Sequence, residues 1–94
     1  MPRIAYVNGR YVPHNHAQVG IEDRGYQFAD GIYDVVPIVK GTFIDEDWHW
    51  DRLERGLEEL RISQPVSRKA LSMIARRKAK KNMIHNGIVY VQVT

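Results

Sequence analysis

The chain has 94 residues, the length of one small domain, and a domain of this size buries about 60 to 65% of the surface that its unfolded form exposes. Apolar residues make up 44% and charged residues 27%, which is typical of a globular protein. The absence of cysteine excludes disulfides, thiolate metal ligands and a cysteine nucleophile. Neither a signal peptide nor an apolar run of roughly 18 residues is present. We therefore expect a cytoplasmic protein with no membrane partner.

The chain opens with a predicted β-hairpin. Residues 4–7 and 11–12 are β-prone, and Asn8 and Gly9 between them tolerate the positive φ angles of a tight turn. A loop rich in His, Asn and Pro follows over residues 13–20.

A second hairpin is predicted from the β-branched and aromatic residues of 32–39 and the β-prone residues 42–44. Lys40 and Gly41 form the turn between the two strands. Pro37 interrupts the longer strand, and because proline cannot donate a ladder hydrogen bond, we expect it at an edge or a bulge.

Two helices and a final strand complete the predicted elements. The first helix should begin after Asp45 as N-cap and end near Arg61. Its apolar stripe recurs at intervals of three, four and three, at Trp50, Leu53, Leu57 and Leu60. Ser67 should cap a second helix that runs towards Asn82, and residues 88–93 should form the last strand. This order predicts an α+β fold, a mainly antiparallel sheet with two helices on one face.

The segment at residues 22–36, EDRGYQFADGIYDVV, resembles the signature of the class IV aminotransferases, which depend on pyridoxal 5'-phosphate (PLP). The resemblance extends to YVNGR at 6–10, DRL at 51–53 and GIVYVQVT at 87–94, and it is closest to the D-amino-acid type. It implies that residues 1–94 are the N-terminal domain of such an enzyme. Because the chain stops inside a predicted strand, we expect a fragment, truncated before the domain that carries the PLP-binding lysine.

Tyr33 is the candidate substrate-binding residue. Period-two alternation puts its side chain on the same strand face as Val35 and Val39. In D-amino-acid transaminases, which this chain resembles, the tyrosine at this place helps to hold the substrate carboxylate. The alternative is a core or interface tyrosine whose hydroxyl binds a backbone carbonyl.

Arg52 is the candidate cofactor-binding residue. It lies next to the apolar stripe of the first helix, so its guanidinium can reach the sheet, and a fork of N–H donors suits a phosphate. In the resembled family the arginine of the DRL segment binds the PLP phosphate. The alternative is a surface ion pair with Glu46 or a neighbouring aspartate. Asp34 stands where the family usually carries glutamate, and the shorter side chain weakens any role transferred to it.

No catalytic residue is assigned in this chain, because the family's Schiff-base lysine follows the segments found here. The five lysines present fall in a turn or on the predicted charged helix, at Lys40, Lys69, Lys78, Lys80 and Lys81. By resemblance, the complete enzyme would be a PLP-dependent homodimer that transfers an amino group from a D-amino acid to a 2-oxo acid. This chain alone should be inactive.

Several alternatives stay open. Branched-chain aminotransferases and aminodeoxychorismate lyases share much of the motif, and the fragment could instead serve as the assembly partner of a separate C-terminal piece. Residues 68–81 hold seven basic residues and no acidic one, so a small polyanion-binding module is a further possibility, although no nucleic-acid motif accompanies them. His14 and His16 lack an obvious third ligand, and we predict no metal site.

Overall fold

The computed structural model describes residues 3–94, and its first element is the predicted hairpin. Strand β1 (Ile4–Val7) pairs antiparallel with β2 (Arg10–Pro13). The turn residues Asn8 and Gly9 have φ angles of 49° and 89°. Positive φ at both central residues is the geometry of the two-residue turn that matches the twist of paired strands. A short 3₁₀ turn, His14–His16, follows.

The second hairpin and the final strand form a separate three-stranded sheet. Strand β3 (Ile32–Val39) lies between β4 (Thr42–Phe43) and β5 (Gly87–Val93), and both pairings are antiparallel. Lys40 and Gly41 again have positive φ angles. The predicted antiparallel α+β fold is confirmed, with the strands divided between two sheets instead of joined in one.

The prediction that Pro37 lies at an edge or a bulge is wrong, because β3 is the central strand and its register with β5 is unbroken. The Pro37 carbonyl accepts a 2.9 Å hydrogen bond from the Ile44 N–H, on the β4 side of the strand. In an antiparallel ladder the N–H and C=O of one residue point to the same side. The missing proline N–H therefore faces β4 at the point where that short strand ends, and the pairing of β3 with β5 is kept.

A short helix that the sequence did not indicate, α1 (Arg24–Phe28), precedes β3. Asp23 caps it, since its Oδ1 accepts a 2.8 Å hydrogen bond from the Gly25 N–H. The Asp30 side chain accepts a 2.8 Å bond from Arg24 Nε. This segment therefore forms a bend before β3 that contains one helical turn.

Helix α2 (Glu46–Glu59) buries Trp50, Leu53 and Leu57, as its apolar stripe predicts. Asp45 occupies the N-cap position but makes no capping hydrogen bond with its side chain. Its backbone is left-handed, with a φ of 52°, whereas a capping residue is usually extended.

The end of α2 explains why Leu60, the last residue of the predicted stripe, is exposed instead of buried. Arg61 takes a left-handed conformation, and the Ile62 N–H donates to the Leu57 carbonyl at 2.9 Å. These are features of a Schellman motif, in which the residue after the left-handed one packs back on the helix. Ile62 accordingly packs against the core in place of Leu60.

Helix α3 (Arg68–Lys81) begins where Ser67 predicts, because the Ser67 Oγ accepts a hydrogen bond from the Ala70 N–H at 3.1 Å. At its other end, the Asn82 side chain accepts from the Ile4 N–H at 2.7 Å and donates to the Ile4 carbonyl at 2.9 Å. This pair of bonds attaches the first hairpin to α3.

The core lies between one face of the three-stranded sheet and the two long helices. Its buried apolar residues are Val36, Ile38, Trp50, Leu53, Leu57, Ala75, Ala79 and Val89. The opposite sheet face, which carries Tyr33 and Tyr90, is exposed to solvent. The inner face of β3 is therefore buried and its outer face is exposed. Tyr33 lies on the outer face, whereas Arg52 extends from α2.

Candidate functional site

Tyr33 lies on the outer face of β3. The alternation along the strand buries Asp34, Val36 and Ile38 and turns Tyr33 outwards, where 65% of the residue is exposed. Its ring stacks on Tyr90 of β5, with the ring centres 5.7 Å apart and the planes 20° from parallel. Tyr33 is therefore a surface aromatic residue of this chain, and no hydrogen bond to a backbone carbonyl is found for its hydroxyl within residues 3–94.

A cavity of about 210 Å³ lies beside the Tyr33 and Tyr90 rings. Its other lining residues come from the α1 bend and the sheet, namely Gly25, Ala29, Gly31, Ile32 and Gln92. Arg52 does not line this cavity. Tyr33 and Arg52 therefore do not line one common cavity among residues 3–94.

Arg52 reaches the sheet, as its position on α2 predicts, and there it pairs with Asp34. The Arg52 Nε donates to Asp34 Oδ2 at 2.9 Å, and Nη2 donates to Oδ1 at 2.8 Å. This two-bond geometry is the strongest that a guanidinium and a carboxylate form. The alternative partners considered from the sequence, Glu46 and the neighbouring aspartates, do not take this arginine.

Asp34 is the centre of this group, a role that the sequence did not predict. The residue is 1% exposed, and its Oδ1 also accepts from the Val35 N–H at 2.8 Å and from His49 Nδ1 at 2.7 Å. Burial by itself raises the pKa of a carboxyl, but the hydrogen bonds from Arg52, His49 and the Val35 N–H outweigh it. The pKa of Asp34 is therefore lowered, and its carboxylate is ionised at neutral pH.

His49 lies three residues before Arg52 on α2, so both side chains extend from the same side of the helix. An ionised carboxylate can only accept hydrogen bonds, and His49 Nδ1 must therefore carry the proton that it donates to Asp34. His49 is buried. It holds one oxygen of Asp34 while Arg52 engages both.

Trp48 covers one face of the Arg52 guanidinium, whose central carbon lies 4.5 Å from the centre of the indole ring. The arginine side chain remains 51% exposed, so the group is held at one edge and one face but still open to solvent. Its pKa is raised, first by the hydrogen bonds to Asp34 and to a smaller extent by the nearby Tyr33. The guanidinium is a fixed cation.

The sequence contained a signal for this group. Asp34 shares its strand face with Val36 and Ile38, and a carboxylate on an apolar face must be paired. His49 and Arg52, at a spacing of three on the next helix, are the donors that such a carboxylate requires.

The basic residues of α3 are partly engaged within the chain. Arg76 forms two bonds of 2.6 Å with Glu46, and Arg68 pairs with Asp51 at 2.5 Å and with Glu54. Burial lowers the pKa of Lys78. Arg68, Arg76 and Lys78 are therefore less available to a polyanion than the basic sequence of this helix indicates.

His14 and His16 lie in the 3₁₀ turn after the first hairpin. Within residues 3–94, no three His, Asp or Glu side chains gather closely enough to hold a metal ion. In the same part of the chain, no helix combines the length and apolar composition that crossing a membrane requires.

Comparison with known proteins supports the resemblance read from the sequence. A search against models of protein families gives no match. The chain is 41% identical over 88 residues to a D-alanine aminotransferase from Listeria innocua, covering 94% of this chain and 30% of that protein. It is 34% identical over 89 residues to a D-alanine aminotransferase from Staphylococcus haemolyticus, covering 95% of this chain and 32% of that protein.

The resemblance to aminotransferases of the D-amino-acid type is thereby confirmed over nearly the whole chain. The chain spans about a third of the length of these relatives.

Proposed function

We propose that this chain is the N-terminal domain of a class IV, PLP-dependent aminotransferase that transfers an amino group from a D-amino acid to a 2-oxo acid. The similarity to D-alanine aminotransferases supports the reaction class. The observation that carries the proposal is Arg52, an exposed cation fixed by Asp34 whose other N–H donors have no partner among residues 3–94. We propose that the complete protein is a homodimer in the cytoplasm.

Arg52 is proposed to bind the PLP phosphate. A guanidinium has five N–H donors, and Asp34 uses two of them. The remaining donors and the permanent positive charge fit a phosphate dianion. When bound, PLP supplies the electron-withdrawing ring on which amino-group transfer depends.

Tyr33 is proposed to donate its hydroxyl to the substrate carboxylate. Its ring is oriented by stacking on Tyr90, and it lines a cavity large enough for a small amino acid side chain. The exposed sheet face places the hydroxyl where a group from outside this domain can reach it. The structure gives the hydroxyl of Tyr33 no competing acceptor within residues 3–94.

The 94-residue chain alone is proposed to be inactive. Lys40 lies in a hairpin turn and the other four lysines lie on α3, and none of the five lines the Tyr33 cavity. Incubation with PLP, D-alanine and 2-oxoglutarate should therefore give no amino-group transfer above the rate of free PLP. Faster, enzyme-proportional turnover would contradict this.

The proposed phosphate contact is tested in the full-length protein by comparing Arg52→Ala with Arg76→Ala. We expect Arg52→Ala to weaken PLP binding by about ten- to a hundredfold, because it removes a charge-assisted contact. Arg76 pairs with Glu46 and is the matched control, whose removal should leave PLP binding unchanged. Equilibrium dialysis with absorbance detection of PLP measures both, and equal binding by the two variants would refute the assignment.

Tyr33→Phe tests the second role in the same protein. It should lower kcat/KM for the D-amino acid while PLP stays bound, since only the substrate contact is removed. Unchanged kinetics would exclude Tyr33 from the substrate site.

A further inference from the structure

We propose that Asp34 is a positioning residue, which holds one edge of the Arg52 guanidinium so that its other edge is presented to the phosphate. This inference rests on the proposed function, in which Arg52 binds the PLP phosphate. Asp34 thus has a role, although its side chain is shorter than the glutamate that the family usually carries at this position.

The geometry follows from the two edges of a guanidinium. One edge carries Nε and one N–H of Nη2, and the other carries Nη1 and the second N–H of Nη2. Asp34 occupies the first edge, through bonds of 2.9 Å to Nε and 2.8 Å to Nη2. The second edge keeps two parallel N–H donors, and Nη1 has no hydrogen-bond partner among residues 3–94. That free edge has the spacing that binds two oxygens of one phosphate.

Asp34 is a rigid anchor for this purpose. It lies in the central strand, is almost fully buried, and is itself held by His49 and the Val35 N–H. Arg52 in contrast has a long side chain with many rotamers, and half of that side chain is in solvent. Fixing it before the ligand arrives removes part of the entropy cost of binding.

The charge of the group gives the proposal a specific consequence. Asp34 and Arg52 together are close to neutral, so the pair gains less from long-range attraction to an anion than a free arginine would. The benefit of Asp34 must therefore be in the direction of the N–H donors. Removing Asp34 leaves Arg52 with its full charge but without a fixed orientation, and the balance of these two effects is measurable.

The test is a double-mutant cycle in the full-length protein, with PLP affinity as the measured quantity. The variants are Asp34→Ala, Arg52→Ala and the two together. If Asp34 acts through Arg52, Asp34→Ala weakens PLP binding about tenfold in the wild-type background and has almost no effect once Arg52 is absent. If Asp34 supports only the fold, its effect persists in both backgrounds, and the proposal is wrong.

Two further variants protect this test against misfolding. Asp34→Glu keeps the charge and should restore PLP affinity to within about threefold of wild type, because a carboxylate can still accept from both donors of the edge. Glu46→Ala removes the corresponding partner of Arg76 and should leave PLP affinity unchanged. If Asp34→Glu bound PLP no more tightly than Asp34→Ala, although the two variants had equal thermal stability, the positioning role would be wrong.

The outcomes separate this inference from the proposed function. If Arg52→Ala binds PLP normally, the phosphate assignment fails and the positioning role fails with it. If Arg52→Ala loses PLP while Asp34→Ala retains it, the phosphate assignment stands and only the positioning role is refuted.

Discussion

Two arginine–carboxylate pairs of α2 differ in which edge of the guanidinium is occupied. Asp34 engages Nε and Nη2 of Arg52, whereas Glu46 engages Nη1 and Nη2 of Arg76. Each arginine also lies over an aromatic ring, at 4.5 Å for Arg52 and 4.7 Å for Arg76. The two pairs therefore share their chemistry but not their geometry.

The occupied edge decides what each arginine can still do. Nη1 of Arg76 also bonds the Ser72 hydroxyl, and Glu46 accepts from Ser72 at 2.5 Å and from Trp50 at 3.0 Å. That cluster occupies the Nη1 edge of Arg76 and ties α2 to α3, whereas the Nε of Arg76 has no hydrogen-bond partner among residues 3–94. Arg52 is held along its Nε edge, so its Nη1 edge has no partner in the part of the chain that the structure describes. A count of ion pairs would not distinguish a structural arginine from one prepared to bind an anion.

The largest expected effect is on the free energy of unfolding, when Asp34 is removed. Asp34→Ala leaves the buried His49 without its acceptor, and we expect it to lower the free energy of unfolding by about 2 to 4 kcal/mol. Asp51→Ala is the control, because that aspartate is exposed and forms an ion pair with Arg68, and its loss should cost less than about 1 kcal/mol. Urea denaturation followed by circular dichroism measures both. Equal losses in the two variants would mean that Asp34 is not the buried centre described here.

The second prediction is that the ionised Glu46 carboxylate stabilises the fold and that acid removes this stabilisation. The Arg76 hydrogen bonds lower the pKa of Glu46 from 4.5 to about 2, although burial opposes the shift. A lowered folded-state pKa means that the unfolded chain binds more protons between these values, so stability rises with pH there. The contribution should be complete above about pH 4.5 and lost as the pH falls through about 2.

Glu46→Gln removes this titration and serves as the comparison. The stability difference between wild type and variant should be on the order of 2 kcal/mol at pH 7 and should shrink towards zero near pH 2. Asp34 shifts in the same direction and remains in both proteins, so it cancels in the difference. A difference that does not change between pH 7 and pH 2 would contradict the pairing of Glu46.

Much of the fold could be predicted because its signals are local. The stripe that includes Trp50, Leu53 and Leu57 identifies α2, and Ser67 identifies the start of α3. Leu60 was misplaced because a Schellman ending reverses the chain direction, and a left-handed Arg61 carries no sequence signal of the kind that glycine gives. Pro37 was misplaced for a different reason, since its fit depends on how short β4 is.

The candidate site was predictable only in part. The reach of Arg52 towards the sheet follows from its position beside the apolar stripe, but its partner lies 18 residues earlier in the chain. Alternation along β3 could have identified Asp34 as a buried carboxylate in need of donors. The resemblance points to Tyr33 and Arg52, whereas for Asp34 it offers only a weakened role, because the side chain is shorter than the family's glutamate.

The smallest expected effect distinguishes the aromatic ring beside Arg52, which is Trp48, from the ring beside Arg76, which is Phe43. Trp48→Leu removes the surface that covers the Arg52 guanidinium, and a partly exposed cation–π contact contributes about 0.5 to 1 kcal/mol, equivalent to about a threefold weakening of PLP binding by the full-length protein. Phe43→Leu removes the ring below Arg76 and should leave PLP affinity unchanged while lowering thermal stability, because Phe43 packs against the core. Equilibrium dialysis and thermal denaturation of both variants give the comparison. If Phe43→Leu weakened PLP binding as much as Trp48→Leu, the functional distinction between the two arginines would fail.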